Sequence, residues 1–265
     1  MEIAFLILLF IIGSCFGSFL CCQARRLRLK STKKGSKKLG SRSVCLHCYY
    51  QLKWYDNIPI ISWLLLRGKC RKCHQKIGVA EIISELSASV AFLAFGAQFV
   101  FSAVSPLGWL TFILTLLLLL VLIFLAIYDG LYGELPTLCL IAAITLAILV
   151  IVSKQIILSQ TIGFTSELIY QPFFAALILG GLYFILYFIS KGQWVGDGDW
   201  LLGIAIGLAL GDPWLALIAL FVANLLACLF ALPTLKKSKK IHLGPFLVAS
   251  FVITSTFADF LQSML

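Results

Sequence analysis

Charged residues are scarce in this sequence. They make up 12% of the 265 residues and only eleven are acidic, whereas hydrophobic residues reach 61%. A soluble domain averages about 45–50% apolar residues, so the composition excludes an ordinary soluble globular protein. The sequence also lacks internal repeats and the alternating segments that a membrane β-barrel requires. An α-helical membrane protein is the remaining class, because lipid offers no partner to unpaired backbone amides.

A removable signal peptide is not expected either. The first residues, Met1-Glu2-Ile3, lack a basic segment. The first apolar run is followed by Arg25 and Arg26 rather than by a small-residue cleavage site. We therefore expect this run to be a retained membrane helix.

Apolar runs of the length needed to span a bilayer, about 20 residues, occur along most of the chain. The sequence predicts an all-α polytopic membrane protein with about eight transmembrane helices, of which the sixth is short. The predicted spans are 3–23, 82–104, 108–128, 136–153, 172–190, 200–211, 213–233 and 243–262.

Basic residues are concentrated in one segment, because residues 24–80 hold 15 of the 21 Lys and Arg. Cytoplasmic loops collect Lys and Arg, so this segment is predicted to be cytoplasmic. With eight spans, the loops 129–135, 191–199 and 234–242 then face the cytoplasm as well. The basic segment is expected to attract anionic membrane lipid. It lacks a recognisable nucleic-acid-binding module, so no direct nucleic-acid partner is expected.

The sequence thus predicts three parts. Residues 1–23 form the first transmembrane helix, residues 24–80 a cytoplasmic basic linker with a four-cysteine loop, and residues 81–265 a seven-helix membrane core. Residues 30–43 are basic and small and are expected to be a flexible linker. The polar segment 154–171 is expected to be a surface connection.

Four of the nine cysteines have the spacing of a metal site. Cys45-x2-Cys48 and Cys70-x2-Cys73 are separated by 21 residues, and two such pairs supply the four thiolates of a tetrahedral zinc site. The segment is too small for a strong core of its own, and cytoplasmic thiols stay reduced. Structural zinc is therefore expected, with a redox pair or two unrelated turns as the alternatives.

Carboxylates at the ends of spanning segments are costly and are candidates for function. Asp129 follows the third predicted span, and Asp199 ends the run Gly196-Asp197-Gly198-Asp199 before the sixth. The predicted topology places both at the cytoplasmic face. Two facing carboxylates share a proton, which suits acid–base activation of water against a peptide carbonyl. The alternative is that each aspartate caps a helix, and composition alone does not decide between the two.

The motifs together resemble those of bacterial type IV prepilin peptidases. The compact form is also similar to the competence-type peptidases that process pseudopilins. The resemblance spans nearly the whole chain. It rests on the four-cysteine loop from Cys45 to Cys73, on Gly17-Ser18-Phe19-Leu20, on Asp129 with Pro136, and on the Gly-x-Gly-Asp run 196–199.

This resemblance implies an aspartyl endopeptidase of the bacterial cytoplasmic membrane, with Asp129 and Asp199 as its catalytic pair facing the cytoplasm. It implies prepilin or pseudopilin substrates of type IV pili, type II secretion or competence, cut just before a hydrophobic helix. Many members also methylate the new N-terminus with S-adenosylmethionine, and Glu85 matches a glutamate that is a candidate for this second site. Cys21 and Ala80-Glu81-Ile82 depart from the family pattern where methyl transfer is usually placed, so that activity is left open.

Two other classes of protein are alternatives. An intramembrane protease of the presenilin or signal-peptide-peptidase type suits Tyr128-Asp129, but its late Pro-Ala-Leu motif is absent and it has no four-cysteine loop. A membrane scaffold or transporter with a zinc-bound loop predicts that both aspartates tolerate replacement by asparagine. The oligomeric state does not follow from the sequence.

Overall fold

The computed structural model describes residues 2–31, 43–45, 47–100, 105–232 and 242–263. Within these residues the regular structure is helical, apart from two isolated antiparallel bridges. The predicted all-α class is confirmed.

The chain divides into two compact units, a first unit at Met1–Ala97 and a second unit at Gln98–Leu265. The helices are α1 (Glu2–Ser31), α2 (Ile61–Leu65), α3 (Val79–Val100), α4 (Pro106–Tyr132), α5 (Thr137–Ile162), α6 (Glu167–Ser190), α7 (Asp199–Leu210), α8 (Pro213–Ala231), α9 (Gly244–Thr256) and α10 (Ala258–Ser263), with a 3₁₀ turn at Trp54–Asn57.

Six of these helices are long and apolar enough to cross a membrane, namely α1, α3, α4, α5, α6 and α8. Helix α7 occupies the place of the sixth predicted span, and α9 and α10, separated by Phe257, occupy that of the eighth. Helices α7 and α9 have only 12 and 13 residues. At ~1.5 Å per residue each is roughly 20 Å long or less, whereas the hydrocarbon core of a bilayer is about 30 Å thick. The predicted count of eight spans is therefore not confirmed.

Some helices continue beyond the apolar runs that predicted them. Helix α1 extends to Ser31, and residues 32–42 of the predicted linker lie outside the described residues. The predicted surface connection at 154–171 is wrong, because α5 continues to Ile162 and α6 begins at Glu167. No glycine or proline interrupts the chain between Pro136 and Gly163, and Gly163, with a φ of +83°, is the residue at which α5 ends. Residues 234–241, which include the lysines of the last predicted cytoplasmic loop, also lie outside the described residues.

In the first unit, two glycines let α1 approach α3 closely. A Cβ at Gly13 would lie 2.8 Å from the carbonyl oxygen of Ala88, and a Cβ at Gly17 would meet the backbone of Ser84 and Glu85. Small residues allow membrane helices to pack backbone against backbone. The approach places the Gly17-Ser18 segment beside Glu85.

In the second unit, α7 lies at the centre and contacts α5, α6, α8 and α9. Its side chains Leu202, Ala205 and Ile206 are fully buried. A Cβ at Gly203 would lie 3.0 Å from the carbonyl oxygen of Leu179, so this glycine lets α6 pack closely. An apolar helix of about 10–14 residues is typical of a buried core element, which explains how so short a helix is accommodated. Helix α4 contacts α5 and α9.

Candidate functional site

Asp129 lies in the last turn of α4, where the first residues of α9 hold it. The helix ends at Gly133, whose φ of +68° lets its N–H donate a hydrogen bond of 2.7 Å to the carbonyl oxygen of Asp129. The side chain of Asp129 is buried, and its Oδ2 accepts a hydrogen bond of 2.9 Å from the backbone N–H of Gly244. Nδ1 of His242 lies 3.8 Å from Oδ1 of Asp129. Both oxygens of this carboxyl therefore face the segment at the start of α9.

Gly244 fits beside Asp129 because it has no side chain. A Cβ at this position would lie 2.8 Å from Oδ2 of Asp129 and 3.2 Å from its Cγ. The sequence reasoning missed both Gly244 and His242. The local signal is Gly244-Pro245, and a proline in the first turn marks a helix start without indicating what that start contacts.

Asp199 is the first residue of α7, and its side chain is also buried. Its Oδ2 accepts a hydrogen bond of 2.9 Å from the backbone N–H of Gly196, in the loop before the helix. The N-cap position of α7 is occupied by Gly198 and not by Asp199, which disfavours the simple capping alternative. Asp197, the other aspartate of this run, is exposed.

The connections next to the two aspartates, one after α4 and one before α7, contact each other. A Cβ at Gly198, next to Asp199, would lie 2.7 Å from Cβ of Leu135, which follows α4. The carboxyl of Asp199 interacts electrostatically with that of Asp129 and, when the imidazole is protonated, with His242. The structure thus brings Asp129 and Asp199 into one region of the second unit. Burying two carboxylates together favours a state in which they share a proton, although their catalytic role stays a prediction.

In the first unit, four cysteine Sγ atoms lie within 4.8 Å of one another, those of Cys45, Cys48, Cys70 and Cys73. The Cys45–Cys73 separation is 3.8 Å and the Cys48–Cys70 separation is 4.0 Å. Zinc–sulfur bonds of ~2.3 Å in a tetrahedral site require sulfur atoms roughly 3.8 Å apart. The four cysteines could therefore bind a metal ion, and this cluster contains no histidine.

The two cysteine pairs lie in turns of the same local structure. The residues that follow the two pairs, Tyr49 and His74, have φ angles of 55° and 56°. The N–H of Tyr49 donates a hydrogen bond of 2.9 Å to the carbonyl oxygen of Cys45, and the N–H of His74 donates one of 3.0 Å to that of Cys70. A hydrogen bond from the backbone N–H of Cys73 lowers the pKa of the Cys70 thiol to about 7. The lower pKa favours the thiolate of Cys70, the form that binds metal, whereas desolvation and the neighbouring thiols raise the pKa of Cys73 to about 12.

An ion pair joins the segment between the two cysteine turns to the second of these turns. The side chain of Asp56 is only 1% exposed, and its Oδ1 accepts a hydrogen bond of 2.8 Å from Nε of Arg71. Its Oδ2 accepts a further bond of 3.2 Å from the backbone N–H of Lys53. The hydrogen bond to Asp56 raises the pKa of the Arg71 guanidinium. This buried carboxylate connects the second cysteine turn to the 3₁₀ turn.

Glu85 is held within the first unit by two contacts. The buried side chain accepts a hydrogen bond of 2.7 Å from the backbone N–H of Ile60, a residue with a φ of +62°. It also forms a side-chain hydrogen bond with Ser18 of α1. Glu85 therefore connects α3 to α1 and to the cysteine loop.

A cavity of about 720 Å³ lies in the first unit and is lined by α1, the cysteine loop and α3, including Glu85. Three polar atoms of its lining residues are buried without a hydrogen-bond partner among the described residues: Nε of Arg25, Nε1 of Trp63 and Oε2 of Glu81. Arg25 also forms an ion pair with the other oxygen of Glu81. Small-molecule sites typically have volumes of about 300–1,000 Å³, so both the size and the unused polar atoms suit a small polar ligand.

Comparisons with known proteins decide the family. Residues 11–99 match the family model described as the Bacterial Peptidase A24 N-terminal domain. A prepilin leader peptidase/N-methyltransferase of Vibrio cholerae is 31% identical over 260 residues, which cover 96% of this chain and 97% of that protein. The chain belongs to the prepilin leader peptidase/N-methyltransferase family. The resemblance of the motifs to those of bacterial type IV prepilin peptidases is thereby confirmed.

Other members of this family match over shorter stretches. A type 4 prepilin-like proteins leader peptide-processing enzyme of Escherichia coli is 27% identical over 215 residues, or 80% of this chain and 74% of that protein. A prepilin leader peptidase/N-methyltransferase of Myxococcus xanthus is 39% identical over 90 residues, or 34% of this chain and 25% of that protein. No solved structure matches the chain. Family membership and the six candidate spans indicate a multi-pass membrane protein.

Proposed function

We propose that this protein is a membrane aspartyl endopeptidase that removes the leader peptide of prepilins or pseudopilins at the cytoplasmic face of the bacterial cytoplasmic membrane. The observation that carries the proposal is the burial of Asp129 and Asp199 in one region, where an electrostatic interaction connects them. Family membership supports the substrate class. A chain that used these carboxyls only as helix caps would not need to bury them together.

The proposed reaction uses one ionised and one protonated carboxyl. The ionised carboxylate takes a proton from water while the water oxygen forms a bond to the scissile carbonyl carbon. The protonated carboxyl gives its proton to the carbonyl oxygen. When the tetrahedral intermediate collapses, the C–N bond breaks and the amine leaves with the proton that came from water. The second carboxyl, now ionised, takes a proton back from a hydroxyl of the intermediate, which becomes the carboxylic acid product, and both aspartates return to their starting states. Acid–base assistance of this kind typically contributes about 10²–10⁴-fold in rate.

The position of the pair in the chain suits a substrate that lies partly in the membrane. Asp129 is in the last turn of a candidate span, and Asp199 begins an apolar helix buried within the second unit. We propose that the hydrophobic helix of the substrate lies among the membrane helices while its basic leader stays in the cytoplasm. The peptide bond between these two parts is then at the boundary where the aspartates lie.

The four-cysteine cluster is proposed to bind one structural zinc ion. Four thiolates fill a tetrahedral site and leave no position for a reacting water molecule. Cys45, Cys48, Cys70 and Cys73 would hold the ion, and it would tie the two cysteine turns together. Folding of so small a loop is expected to depend on the metal.

A second activity, methylation of the new N-terminus, is proposed for the cavity of the first unit. S-adenosylmethionine supplies the methyl group in such a reaction. Its carboxylate is suited to the donors Nε of Arg25 and Nε1 of Trp63, and its amino group to the acceptor Oε2 of Glu81. Glu85, fixed by Ile60, adds a further acceptor on the same lining. The unused polar atoms are the observation that favours this second function.

Co-expression with a prepilin-like substrate, followed by mass analysis of the N-terminus of that substrate, tests both activities. We expect a product that has lost its leader and carries one methyl group. An intact leader in cells that contain the folded, membrane-inserted protein would refute the peptidase proposal. A cleaved but unmethylated product would refute only the methyltransferase proposal.

A further inference from the structure

His242 lies directly before α9, next to the proposed catalytic pair. Its Nδ1 is 3.8 Å from Oδ1 of Asp129, and in its protonated form it also interacts electrostatically with Asp199. The side chain is 34% exposed, whereas that of Asp129 is 7% exposed. The imidazole therefore lies between a buried carboxyl and solvent.

The surrounding backbone fixes this position from two sides. Gly133, at the end of α4, lies so close that a Cβ there would be 2.6 Å from Cε1 of His242 and 3.0 Å from Nδ1. Two residues after the histidine, the N–H of Gly244 bonds to Oδ2 of Asp129. The histidine faces Oδ1 and the glycine N–H donates to Oδ2, so one short segment lies against both oxygens of the same carboxyl.

The distance indicates the kind of interaction. At 3.8 Å the two atoms are beyond the ~2.7–3.2 Å of an N–H···O hydrogen bond, but they are close enough for an ion pair. A charge at this distance from a buried carboxylate acts strongly because the local dielectric constant is low. The partial exposure of the imidazole reduces the effect without removing it.

We propose that His242 is a positioning residue of the aspartyl site, which as a cation stabilises the negative charge of Asp129 and orients that carboxyl. The inference rests on the proposed function, because it assigns a role beside the same pair of aspartates. His242 acts through Asp129 and is not assigned a contact with the substrate. It adds the start of α9 to the two elements that carry the aspartates.

A purely structural role for His242 predicts different behaviour. If the ring only fills the space over Gly133, an apolar side chain of similar size serves as well as histidine. If the positive charge matters, a cation of different shape restores function better than an apolar residue does. The variants His242→Leu and His242→Lys separate these two roles.

The test measures kcat and KM for cleavage of a purified prepilin-like substrate by the full-length protein in lipid vesicles. We expect His242→Leu to lower kcat about tenfold or more while KM changes less than about twofold, and His242→Lys to recover much of that loss. Wild-type kcat in His242→Leu would overturn the proposal. An equal loss of kcat in both variants would overturn it as well, because it would show that charge is not what matters.

A matched control removes a cation elsewhere in the same unit. Lys191 is exposed at the C-terminal end of α6, and Lys191→Gln is expected to keep the wild-type kcat. Asp129→Asn separates this inference from the proposed function. Normal cleavage by Asp129→Asn means that the peptidase assignment fails, whereas an inactive Asp129→Asn with a fully active His242→Leu means that only the positioning role fails. All variants are compared at a temperature where circular dichroism shows them to be folded.

Discussion

Replacing Gly244 by alanine tests whether the start of α9 holds Asp129. The new Cβ would lie 2.8 Å from Oδ2 of Asp129, whereas ordinary contacts begin at 3.4 Å, so the carboxyl or the helix start must move by roughly 0.6 Å (3.4 minus 2.8). Such a movement breaks the hydrogen bond of 2.9 Å from the Gly244 N–H. The substitution therefore removes one contact from Asp129 and leaves the residue itself in place.

The size of the effect follows from that hydrogen bond. A hydrogen bond to a charged group typically contributes about 1.5–3 kcal/mol, and each ~1.4 kcal/mol corresponds to a factor of ten in rate. We therefore expect Gly244→Ala to lower kcat/KM by about 10- to 150-fold. Initial rates of cleavage of a purified prepilin-like substrate by the full-length protein in lipid vesicles measure this change.

Gly130→Ala is the matched control for this prediction. It also adds a methyl group next to Asp129, but the Cβ would meet only Cγ of Pro245, at the ordinary distance of 3.5 Å. We expect Gly130→Ala to keep kcat/KM within about threefold of the wild type, well below the tenfold step of ~1.4 kcal/mol. Equal kcat/KM in the two variants would refute the claim that the start of α9 positions the carboxyl.

The remaining predictions concern the metal, the Gly-x-Gly-Asp loop and methylation. Elemental analysis should find about one zinc ion per chain, as a single four-thiolate site implies, lost in Cys70→Ser and retained in Cys228→Ser. Gly198→Ala should lower the cleavage rate about 100-fold, because a Cβ there would overlap the connection after α4 and shift the adjacent aspartate. Glu85→Gln should reduce methylation of the product and leave cleavage unchanged, as shown by mass analysis of the substrate N-terminus.

Each of these predictions has a contradicting outcome. Zinc retained in Cys70→Ser would mean that the four thiolates do not form the site. Cleavage by Gly198→Ala at the rate of Gly181→Ala, whose Cβ would meet only Leu177 at 3.5 Å, would mean that close packing of the loop is unimportant. Full methylation by Glu85→Gln would remove this glutamate from the second site.

The four-cysteine cluster was predictable because the geometry of each cysteine pair is local. A Cys-x2-Cys turn sets the positions of its own two thiolates, and the backbone hydrogen bonds at Tyr49 and His74 close each turn within six residues. The two aspartates were predictable in part, because each lies at the end of an apolar run. Their burial and mutual interaction depend on how α4 and α7 pack, which no local pattern records.

The contacts to Asp129 from the start of α9 could not be predicted from the sequence. Gly244 and Asp129 are 115 positions apart, so their contact depends entirely on the packing of α9 against α4. A glycine before a proline indicates only a helix start. The sequence does not distinguish a histidine that contacts Asp129 from a solvated histidine after a basic loop.

The number of spans could not be read from hydropathy alone. An apolar run of 12 residues is compatible with a short span and with a buried core helix, and hydropathy does not record that α7 contacts four neighbouring helices. Lys154 shows why the connection at 154–171 was misread. This polar residue suggested a loop, but it lies inside α5, which continues to Ile162. Its Nζ donates a hydrogen bond of 3.3 Å to the carbonyl oxygen of Ala209, near the end of α7.

The most direct test of the central claim replaces each aspartate separately by asparagine. The amide has nearly the shape of the carboxyl but neither accepts nor releases a proton at neutral pH. We predict that Asp129→Asn and Asp199→Asn each leave the substrate leader intact in an N-terminal mass measurement, while both variants insert into the membrane and keep their zinc. Cleavage by either variant at a rate near that of the wild type would contradict the claim that the two carboxyls act together.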